Sequence, residues 1–368
     1  MSGVGFDCGT MWLCKSEIDD IVGGANFTVE RNAFLQVSSN EDTADTLKEN
    51  NWSYAKYNDN YYVLGDDALK LKNMLTINMQ GDNQNIIVQQ VGVLRRPMKD
   101  GILNTGAEKL SVAIIQKLIA NLLGKPKKEN EVLCFCAPGD PVDSNLSVIF
   151  HKTMLTNFLT SLGYAVECIP EALAIIFSER PVAIDPEEGE VPFSGISFSY
   201  GSGLCNVCFA FKKLPLISFS ITKSGDFIDI EAAKVAGVDV SAITRFKESK
   251  LDLNNIDPSD MREAALDIFY QNMIEHSLTH FAEKFNQLDN QIDMPLPIVI
   301  AGGTASVPGF QKLFEKILKK QKLPFNVKSV TLAENPLYTV ANGCLVKALA
   351  VEGKKKAAPK KKKEKSTE

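Results

Sequence analysis

The sequence contains no apolar run approaching the length that a membrane-spanning helix needs, about 20 residues. Its first twenty residues include Asp7, Lys15, Glu17 and Asp19, and they do not resemble a secretory signal peptide. These observations argue against a transmembrane segment and against secretion. They predict a cytoplasmic location.

Residue sets that would bind zinc or form a disulfide framework are also missing. The eight cysteines, without a leader, indicate a reducing compartment. Cys205 and Cys208 form a Cys-x-x-Cys pair on a predicted strand, but no second pair accompanies them. His276 and His280 share a helix face without the glutamate that a zinc protease places beside the first histidine. Buried apolar cysteines and a chance histidine pair are the favoured interpretations.

Positive charge is concentrated at one end of the chain. From Gly353 onward, eight Lys and two Glu give a net charge of +6, so the chain total of −5 leaves −11 on the other residues. Residues 353–368 contain no apolar side chain larger than alanine and are predicted to form a disordered tail. Lys354–Lys365 could contact DNA, an anionic membrane surface or the acidic part of a neighbouring subunit, or could simply promote solubility.

A short segment occurs twice, 192 residues apart. Gly3–Thr10 aligns without a gap on Gly195–Ser202, and each copy reads as an apolar strand, a turn with glycine and a second strand. The second strands are Met11–Cys14 and Leu204–Phe211. Glycine lets a turn approach an anion closely and direct backbone N–H groups at it. The repeat therefore predicts a duplicated domain with a triphosphate held between the copies.

Apolar strands alternate with amphipathic helices along the rest of the chain, which predicts an α/β fold. A chain of 368 residues is long enough for two domains. Apolar residues from Leu110 to Leu123 predict a helix, and Asp143 or Ser144 is expected to cap the next one, which reaches Leu162. The region to about residue 90 reads as irregular apart from a strand and helix around Gly65, and residues 181–194 read as a connector.

Five turns occur in a characteristic order. They are Asp7-Cys8-Gly9-Thr10, Pro170-Glu171-Ala172, Ser199-Tyr200-Gly201-Ser202-Gly203, Gly302-Gly303-Thr304, and Asn335-Pro336-Leu337 to Gly343. This order resembles the actin-fold ATPases, which include actin, the bacterial filament proteins MreB and MamK, and the ATPase domains of heat-shock chaperones. Val63–Ala68, Arg96–Gly101 and Ser224–Asp229 further resemble MreB and MamK. The resemblance covers residue 3 to about 350.

The resemblance implies duplicated ribonuclease H-like domains with a nucleotide cleft between them. Domain I would comprise residues 1–185, with a small subdomain inserted at about 30–92 and a returning helix at 336–352. Domain II would comprise residues 186–335, with a subdomain inserted at about 226–290 and the adenosine turn.

The resemblance also implies ATP and Mg²⁺ as ligands. Asp7 would hold Mg²⁺ through water, and Glu171 would orient and polarise the attacking water. Glu171 could instead be only a negative charge favoured at a helix N-terminus. The phosphate hairpins would contribute Cys8 and Ser199, the backbone amides of Gly9, Thr10, Gly201, Ser202 and Gly203, and the Thr10 hydroxyl. The nucleoside would be contacted by Gly225, Asp226, Lys247, Glu248, Gly302, Gly303 and Thr304.

Three positions depart from the family pattern. Ser199 stands where the second hairpin normally has an aspartate, and a hydroxyl supplies neither its charge nor its acceptor strength. Pro170-Glu171 stands where MreB-like proteins have Glu-Pro, which leaves the register of the catalytic acid open by one residue. Lys15 lies one place beyond the phosphate-contacting lysine of actin and is not expected to be a ligand. The serine at position 199 predicts ATP binding with slow hydrolysis.

The core carries no appended substrate domain, which favours a prokaryotic cytoskeletal ATPase that joins head to tail into filaments. ATP would close the cleft and promote assembly. The alternative is a non-polymerising degenerate or chaperone-like ATPase that acts as a scaffold. The sequence leaves open what such a filament would organise.

Overall fold

The computed structural model describes residues 2–357 except 20, 22, 39–40, 79–92 and 289–291. Two five-stranded sheets form its centre. The first sheet has the spatial order β10 (Ala165–Pro170), β9 (Val132–Ala137), β1 (Val4–Cys8), β2 (Trp12–Ile18) and β3 (Ala25–Arg31). The second has the order β15 (Leu214–Ile221), β14 (Cys205–Phe211), β13 (Gly195–Tyr200), β16 (Leu296–Ala301) and β17 (Val327–Leu332).

The two sheets have the same topology. β1 pairs antiparallel with β2 and parallel with β9, and β13 pairs antiparallel with β14 and parallel with β16. Every residue of β9, β13 and β16 is buried, as expected for parallel strands covered on both faces. The duplication predicted from the repeated segment is therefore confirmed.

A third sheet corrects the expectation of an irregular region before residue 90. It has the order β4 (Phe34–Ser38), β6 (Asn60–Leu64) and β5 (Tyr54–Tyr57), and it is flanked by α1 (Glu41–Glu49) and α2 (Gly65–Asn78). Alternate residues of short strands build a core of its own: Leu35, Tyr61 and Val63 pack with helix residues such as Leu47 and Leu71. The polar helix α1 separates β4 from β5, and a polar turn separates β5 from β6, which obscures the alternation in the sequence. Residues 79–92 of the predicted insertion lie outside the described residues.

Two hairpins complete the strands. One consists of β7 (Met98–Lys99) and β8 (Ile102–Leu103), and the other of β11 (Val182–Asp185) and β12 (Gly189–Pro192). The second hairpin replaces the connector expected at residues 181–194. It forms because Ala183 and Val191 are buried against the second half, while the Asp185 carboxylate accepts hydrogen bonds from the turn amides of Glu187 and Glu188, both at 2.8 Å.

The other helices cover the outer sheet faces or lie between the sheets. They are α3 (Ser111–Leu123), α4 (Ile149–Ser161), α5 (Glu171–Glu179), α6 (Gly225–Ala236), α7 (Val240–Ser249), α8 (Met261–Phe285), α9 (Phe310–Leu318) and α10 (Thr339–Ala357). The helix at Leu110–Leu123 is confirmed. The predicted cap of α4 at Asp143 or Ser144 is wrong, because the helix begins only at Ile149. Asp143 instead accepts hydrogen bonds from the Thr222 amide and hydroxyl, at 3.0 and 2.9 Å.

Helices α5 and α10 lie between the two large sheets and contact each other. The Ser16 hydroxyl of the first sheet donates to the Ala341 carbonyl of α10 at 2.7 Å. The Ser197 hydroxyl of the second sheet donates to the Ala172 carbonyl of α5 at 2.6 Å. Helix α10 continues to Ala357, so the first residues of the predicted disordered tail are helical. Residues 358–368 lie outside the described residues.

A loop of the first half also joins the edge of the second sheet. Val142 donates its amide to the Ser220 carbonyl at 3.0 Å, and the Ser220 amide donates to the Asp140 carbonyl at 3.1 Å. The loop thus extends the sheet beyond β15 by a short bridge. Among the helices that the structure describes, none is long and apolar enough to cross a membrane.

The crossing of α5 and α10 generates the first prediction. A Cβ atom on Gly343 would lie 1.8 Å from the Ala174 carbonyl oxygen, so Gly343→Ala must push the helices apart. We expect a loss of about 1–3 kcal/mol in the free energy of unfolding, typical of overpacked cores, measured by urea unfolding. Gly106→Ala is the control, because no atom lies within 4 Å of the added Cβ. Unchanged stability of Gly343→Ala would contradict this close packing.

The buried His151 generates a second prediction. Its side chain is 1% exposed, and neither ring nitrogen has a hydrogen-bond partner among the described residues. Burial lowers the pKa of His151 from 6.5 to about 4. The folded protein therefore keeps this ring neutral while the unfolded chain protonates it, and stability falls as the pH drops from 6.5 towards 4.

Replacing His151 by leucine should remove this part of the acid sensitivity. The advantage of His151→Leu over the wild type should grow as the pH falls, by at most about 1.4 kcal/mol per pH unit. Urea unfolding of both proteins between pH 7 and pH 4.5 measures the difference. A difference that stays constant over this range would show that His151 is not buried in its neutral form.

Candidate functional site

A cavity of about 510 Å³ lies between the two halves, at the turns that follow β1 and β13. It is lined by all the sequence-predicted site residues except Gly225 and Asp226: Asp7, Cys8, Gly9, Thr10, Glu171, Ser199, Gly201, Ser202, Gly203, Lys247, Glu248, Gly302, Gly303 and Thr304. Residues that are far apart in the chain thus meet in one cavity, as the duplicated topology requires.

The two hairpin turns face each other closely. A Cβ atom on Gly203 would lie 2.5 Å from the Thr10 hydroxyl oxygen and 2.3 Å from the Gly101 amide nitrogen, so only glycine lets the second hairpin reach the first. The Gly201 amide donates to the Leu204 carbonyl at 3.1 Å. This amide therefore closes its own hairpin, whereas it was expected to bind phosphate.

Two buried carboxyl groups line the cavity, those of Asp7 and Glu171. Asp7 is the penultimate residue of β1, and Glu171 is the first residue of α5, directly after β10. The pKa of each is raised, mainly because burial disfavours the charged form; for Glu171 the negative charge of Asp7 adds to this effect. The Cys136 thiol donates to Asp7 Oδ1 across 3.4 Å. A cation between the carboxylates would favour their ionised forms.

Ser199 interacts directly with the predicted catalytic acid. Its hydroxyl donates to Glu171 Oε1 at 2.8 Å, and its side chain is almost fully buried. The family pattern has an aspartate at this position, which would add a third negative charge beside Asp7 and Glu171. Here a neutral donor fixes the orientation of Glu171 instead.

Asn206 is a cavity residue that the sequence interpretation missed. It lies on β14 directly opposite Ser199 and lines the cavity. Its Oδ1 accepts the Gly139 amide hydrogen at 3.0 Å, which leaves its NH₂ group free to donate to Glu171. This hydrogen bond lowers the pKa of Glu171. A polar residue within the apolar run of β14 was the pattern that could have revealed it.

The other end of the cavity contains a buried ion pair. Lys247 Nζ lies 2.6 Å from Asp229 Oδ1, and the two side chains are 8% and 3% exposed. The Thr244 hydroxyl donates to the other carboxylate oxygen at 2.7 Å. Burial raises the pKa of Asp229, while the charge of Lys247 opposes the shift. Lys247 and Glu248 were expected beside the nucleoside; Asp229, one helical turn after Asp226, was not.

The Gly302–Thr304 turn is fixed to the second hairpin. Gly302 has a φ of 98°, and a Cβ atom there would lie 2.3 Å from the Tyr200 carbonyl oxygen. The Thr304 hydroxyl donates to the Gly201 carbonyl at 2.8 Å. Because β16 leads directly into this turn, these contacts hold the turn against the second hairpin at the cavity.

Gly225 and Asp226, expected at the ribose, do not line the cavity. The Asp226 carboxylate instead contacts the Arg96 guanidinium and the Ser202 hydroxyl. Lys15, not expected to be a ligand, pairs with Glu17 at 3.0 Å.

The donor set fits a magnesium nucleotide. Mg²⁺ takes oxygen ligands and keeps several waters, and Asp7 and Glu171 supply carboxylate oxygens in a buried cavity large enough for a nucleotide. No group of three or more His, Cys, Asp or Glu within the described residues could hold a metal ion by itself. A cation here would therefore be completed by water and phosphate oxygens.

Solved structures with the same fold cover nearly the whole chain. A MamK double helical filament matches with a TM-score of 0.61 and 15% identity, over 95% of this chain and 98% of that one. MreB5 of Spiroplasma citri bound to AMPPNP matches with a TM-score of 0.62 and 14% identity, over 97% and 98%. The ethanolamine utilization protein EutJ from Carboxydothermus hydrogenoformans matches with a TM-score of 0.50 and 14% identity, over 94% and 89%.

These similarities establish the actin fold with its two-domain architecture, as the order of turns predicted. No curated protein shows significant similarity to the chain. The family model described as Volactin matches residues 2–348, which is nearly all of the chain. The chain therefore belongs to the Volactin family and has the actin fold.

Proposed function

We propose that this protein binds ATP with Mg²⁺ in the cavity and assembles head to tail into filaments. The observation that carries the proposal is the convergence of two facing hairpins, two buried carboxylates and a Gly-Gly-Thr turn on one cavity between the two halves. The similar MreB5 structures contain AMPPNP or ADP, and the similar MamK structure is a double helical filament. These findings support nucleotide binding and self-assembly by this chain.

Each end of the cavity has a distinct role in the proposal. Asp7 would hold Mg²⁺ through water, and the bound ion would neutralise phosphate charge. The phosphates would accept hydrogen bonds from Gly9, Thr10, Ser202 and Gly203. The Gly201 amide would not take part, because it already donates to the Leu204 carbonyl. Glu248 and the Gly302–Thr304 turn would contact the nucleoside, and the Lys247–Asp229 pair would hold that side of the cavity in shape.

Glu171 is the proposed catalytic residue, acting on the attacking water. Its position at the start of α5 lets the helix dipole favour its ionised form, while burial and Asp7 oppose that form. The Ser199 hydroxyl occupies one of its oxygens at 2.8 Å. An aspartate at position 199 would accept hydrogen bonds rather than donate one. With serine there, the attacking water lacks the carboxylate acceptor that an aspartate would offer it. We therefore propose slow hydrolysis and a long-lived ATP-bound state.

The same observation supports a second candidate. A site in which Glu171 is hydrogen-bonded by a neutral side chain could bind ATP without turnover and serve as a non-polymerising scaffold. For either candidate, Lys354–Lys365 would offer a basic segment to DNA or an anionic membrane surface.

Sedimentation tests the proposed function. Purified protein is centrifuged with Mg-ATP, with Mg-ADP or without nucleotide; the pellets are imaged, and phosphate release is measured on the same samples. We expect ATP-dependent filaments, and Glu171→Gln should retain them while reducing phosphate release by about 10²-fold or more. Glu129→Gln, on an exposed turn, is the control. Soluble protein that binds ATP but never pellets would favour the scaffold.

Ser199 provides a separate test. Ser199→Asp should increase phosphate release by about 10²-fold, the lower end of what a positioned acid–base group contributes. Ser199→Ala removes the hydroxyl without adding charge and should leave hydrolysis slow. Single-turnover hydrolysis with saturating Mg-ATP measures both. If Ser199→Asp folds and binds ATP yet hydrolyses it no faster, the serine does not explain slow turnover.

A further inference from the structure

Arg96 belongs to the first half of the molecule and is held firmly there. The preceding residue, Arg95, exchanges backbone hydrogen bonds with Phe34, at 2.8 and 2.9 Å. On the other side of Arg96, the Pro97 carbonyl accepts the Asn104 amide hydrogen at 2.9 Å. The backbone at Arg96 is therefore fixed relative to the first half.

The Arg96 side chain crosses to the second half. Its Nη1 and Nη2 atoms donate to Asp226 Oδ1 and Oδ2, at 3.2 and 2.9 Å, in a two-pronged pair. Nη1 also lies 3.0 Å from the Ser202 hydroxyl oxygen. Asp226 is in the first turn of α6, and Ser202 is in the second phosphate hairpin. One guanidinium thus joins the first half to two elements of the second.

The acceptors on the second half are themselves organised. The Ser202 hydroxyl donates to Asp226 Oδ1 at 2.6 Å, and the Asp226 amide donates to the Ser202 carbonyl at 2.7 Å. Ser202 lines the cavity, whereas Arg96 and Asp226 lie outside it. The cluster therefore touches the cavity at one residue and connects its two walls just beyond that point.

The burial of the pair suits a contact that forms and breaks. Arg96 is 31% exposed and Asp226 is 17% exposed, so the pair is more shielded from water than an ordinary surface salt bridge. Two-pronged arginine–carboxylate pairs are among the stronger hydrogen-bonded contacts, whereas fully exposed ion pairs contribute little. At the same time, neither side chain is so buried that separating the halves would strand a charge in an apolar core.

We propose that Arg96, Asp226 and Ser202 form a latch that holds the cleft closed and controls how fast bound nucleotide leaves. This inference rests on the proposed nucleotide binding and assigns Asp226 to the latch rather than to the ribose. Arg96 and Asp226 are positioning residues that act through the second phosphate hairpin. Arg96 bonds to Ser202 and Asp226 from the first half, and Asp226 is hydrogen-bonded to Ser202 within the second half.

The latch makes a prediction for release kinetics in the full-length protein. Arg96→Ala and Asp226→Ala should each release a fluorescent ATP analogue faster, by about tenfold, the effect of losing about 1.4 kcal/mol from a charge-assisted contact. The double variant Arg96→Asp/Asp226→Arg restores an opposite-charge pair and should return release towards the wild-type rate. Stopped-flow displacement by excess ATP measures each rate.

Arg95→Ala is the matched control. Arg95 is adjacent in the chain and comparably exposed, but its ion pair with Glu108 stays within the first half. Its loss should leave the release rate unchanged. Arg96→Lys keeps the charge without the two-pronged geometry and should give an intermediate rate, so the test does not depend on the alanine variants alone.

A second measurement separates the latch from nucleotide binding. Small-angle scattering of the nucleotide-free proteins should show a larger radius of gyration for Arg96→Ala than for the wild type and Arg95→Ala. Equal release rates and equal radii across all variants would overturn the latch and leave the proposed function intact. A wild type that binds no nucleotide would overturn the proposed function and the role of the latch in release, while an unchanged radius alone would overturn its role in closure.

Discussion

The close crossing of α5 and α10 between the two large sheets is the constraint on which the rest of the structure depends. Gly343 approaches the Ala174 backbone, and a Cβ atom on Gly5 would lie 2.3 Å from the Ala341 carbonyl oxygen. These contacts set the distance between the sheets. Because Asp7 is the penultimate residue of β1 and Glu171 is the first residue of α5, the same packing fixes how far apart the two carboxylates of the cavity lie. The packing of α5 and α10 between the sheets thus determines the relative positions of Asp7 and Glu171 in the cavity.

The negative charges of Asp7 and Glu171 in the cavity are only partly compensated by neighbouring groups of the protein. Burial raises the pKa of both carboxyl groups, and the charge of Asp7 raises the pKa of Glu171 further. A nearby cation would stabilise the ionised form of each group. Neutral donors from Cys136 and Ser199 supply part of the compensation. At the opposite end, Asp229 is compensated by Lys247 at 2.6 Å. The charge of Asp229 is therefore compensated within the protein, whereas the carboxylates of Asp7 and Glu171 would be stabilised by a bound cation.

The parts of the fold that could be predicted from the sequence are those encoded locally. The repeated segment around Asp7 and Ser199 indicated the duplicated sheets, and the Pro170-Glu171 junction placed an acid at a helix start, because each pattern spans a few residues. Of the sheet of β4, β5 and β6, only the strand at β6 was predicted; β4 and β5 were missed because they are short and lie among polar residues.

Long-range contacts account for most of the remaining differences. Nothing within the sequence around Asp143 shows that its carboxylate is engaged by Thr222, and for that reason the start of α4 was predicted too early. In the same way, Asp226 has the motif of a ribose contact but faces Arg96, and Asn206 has no motif of its own. Their roles depend on which segments the fold brings together.

The position of α10 has a consequence for the order in which the protein folds during synthesis. The strands of the second sheet are contiguous in the chain, from β13 to β17, so that half can be completed soon after residue 332 is made. The first sheet is different, since β1 is covered by a helix whose first residue is Thr339. β1 must therefore wait, with an apolar face uncovered, until the helix that begins at Thr339 has been made. Domains usually fold in the order in which they are made; here the second half can be finished before the first.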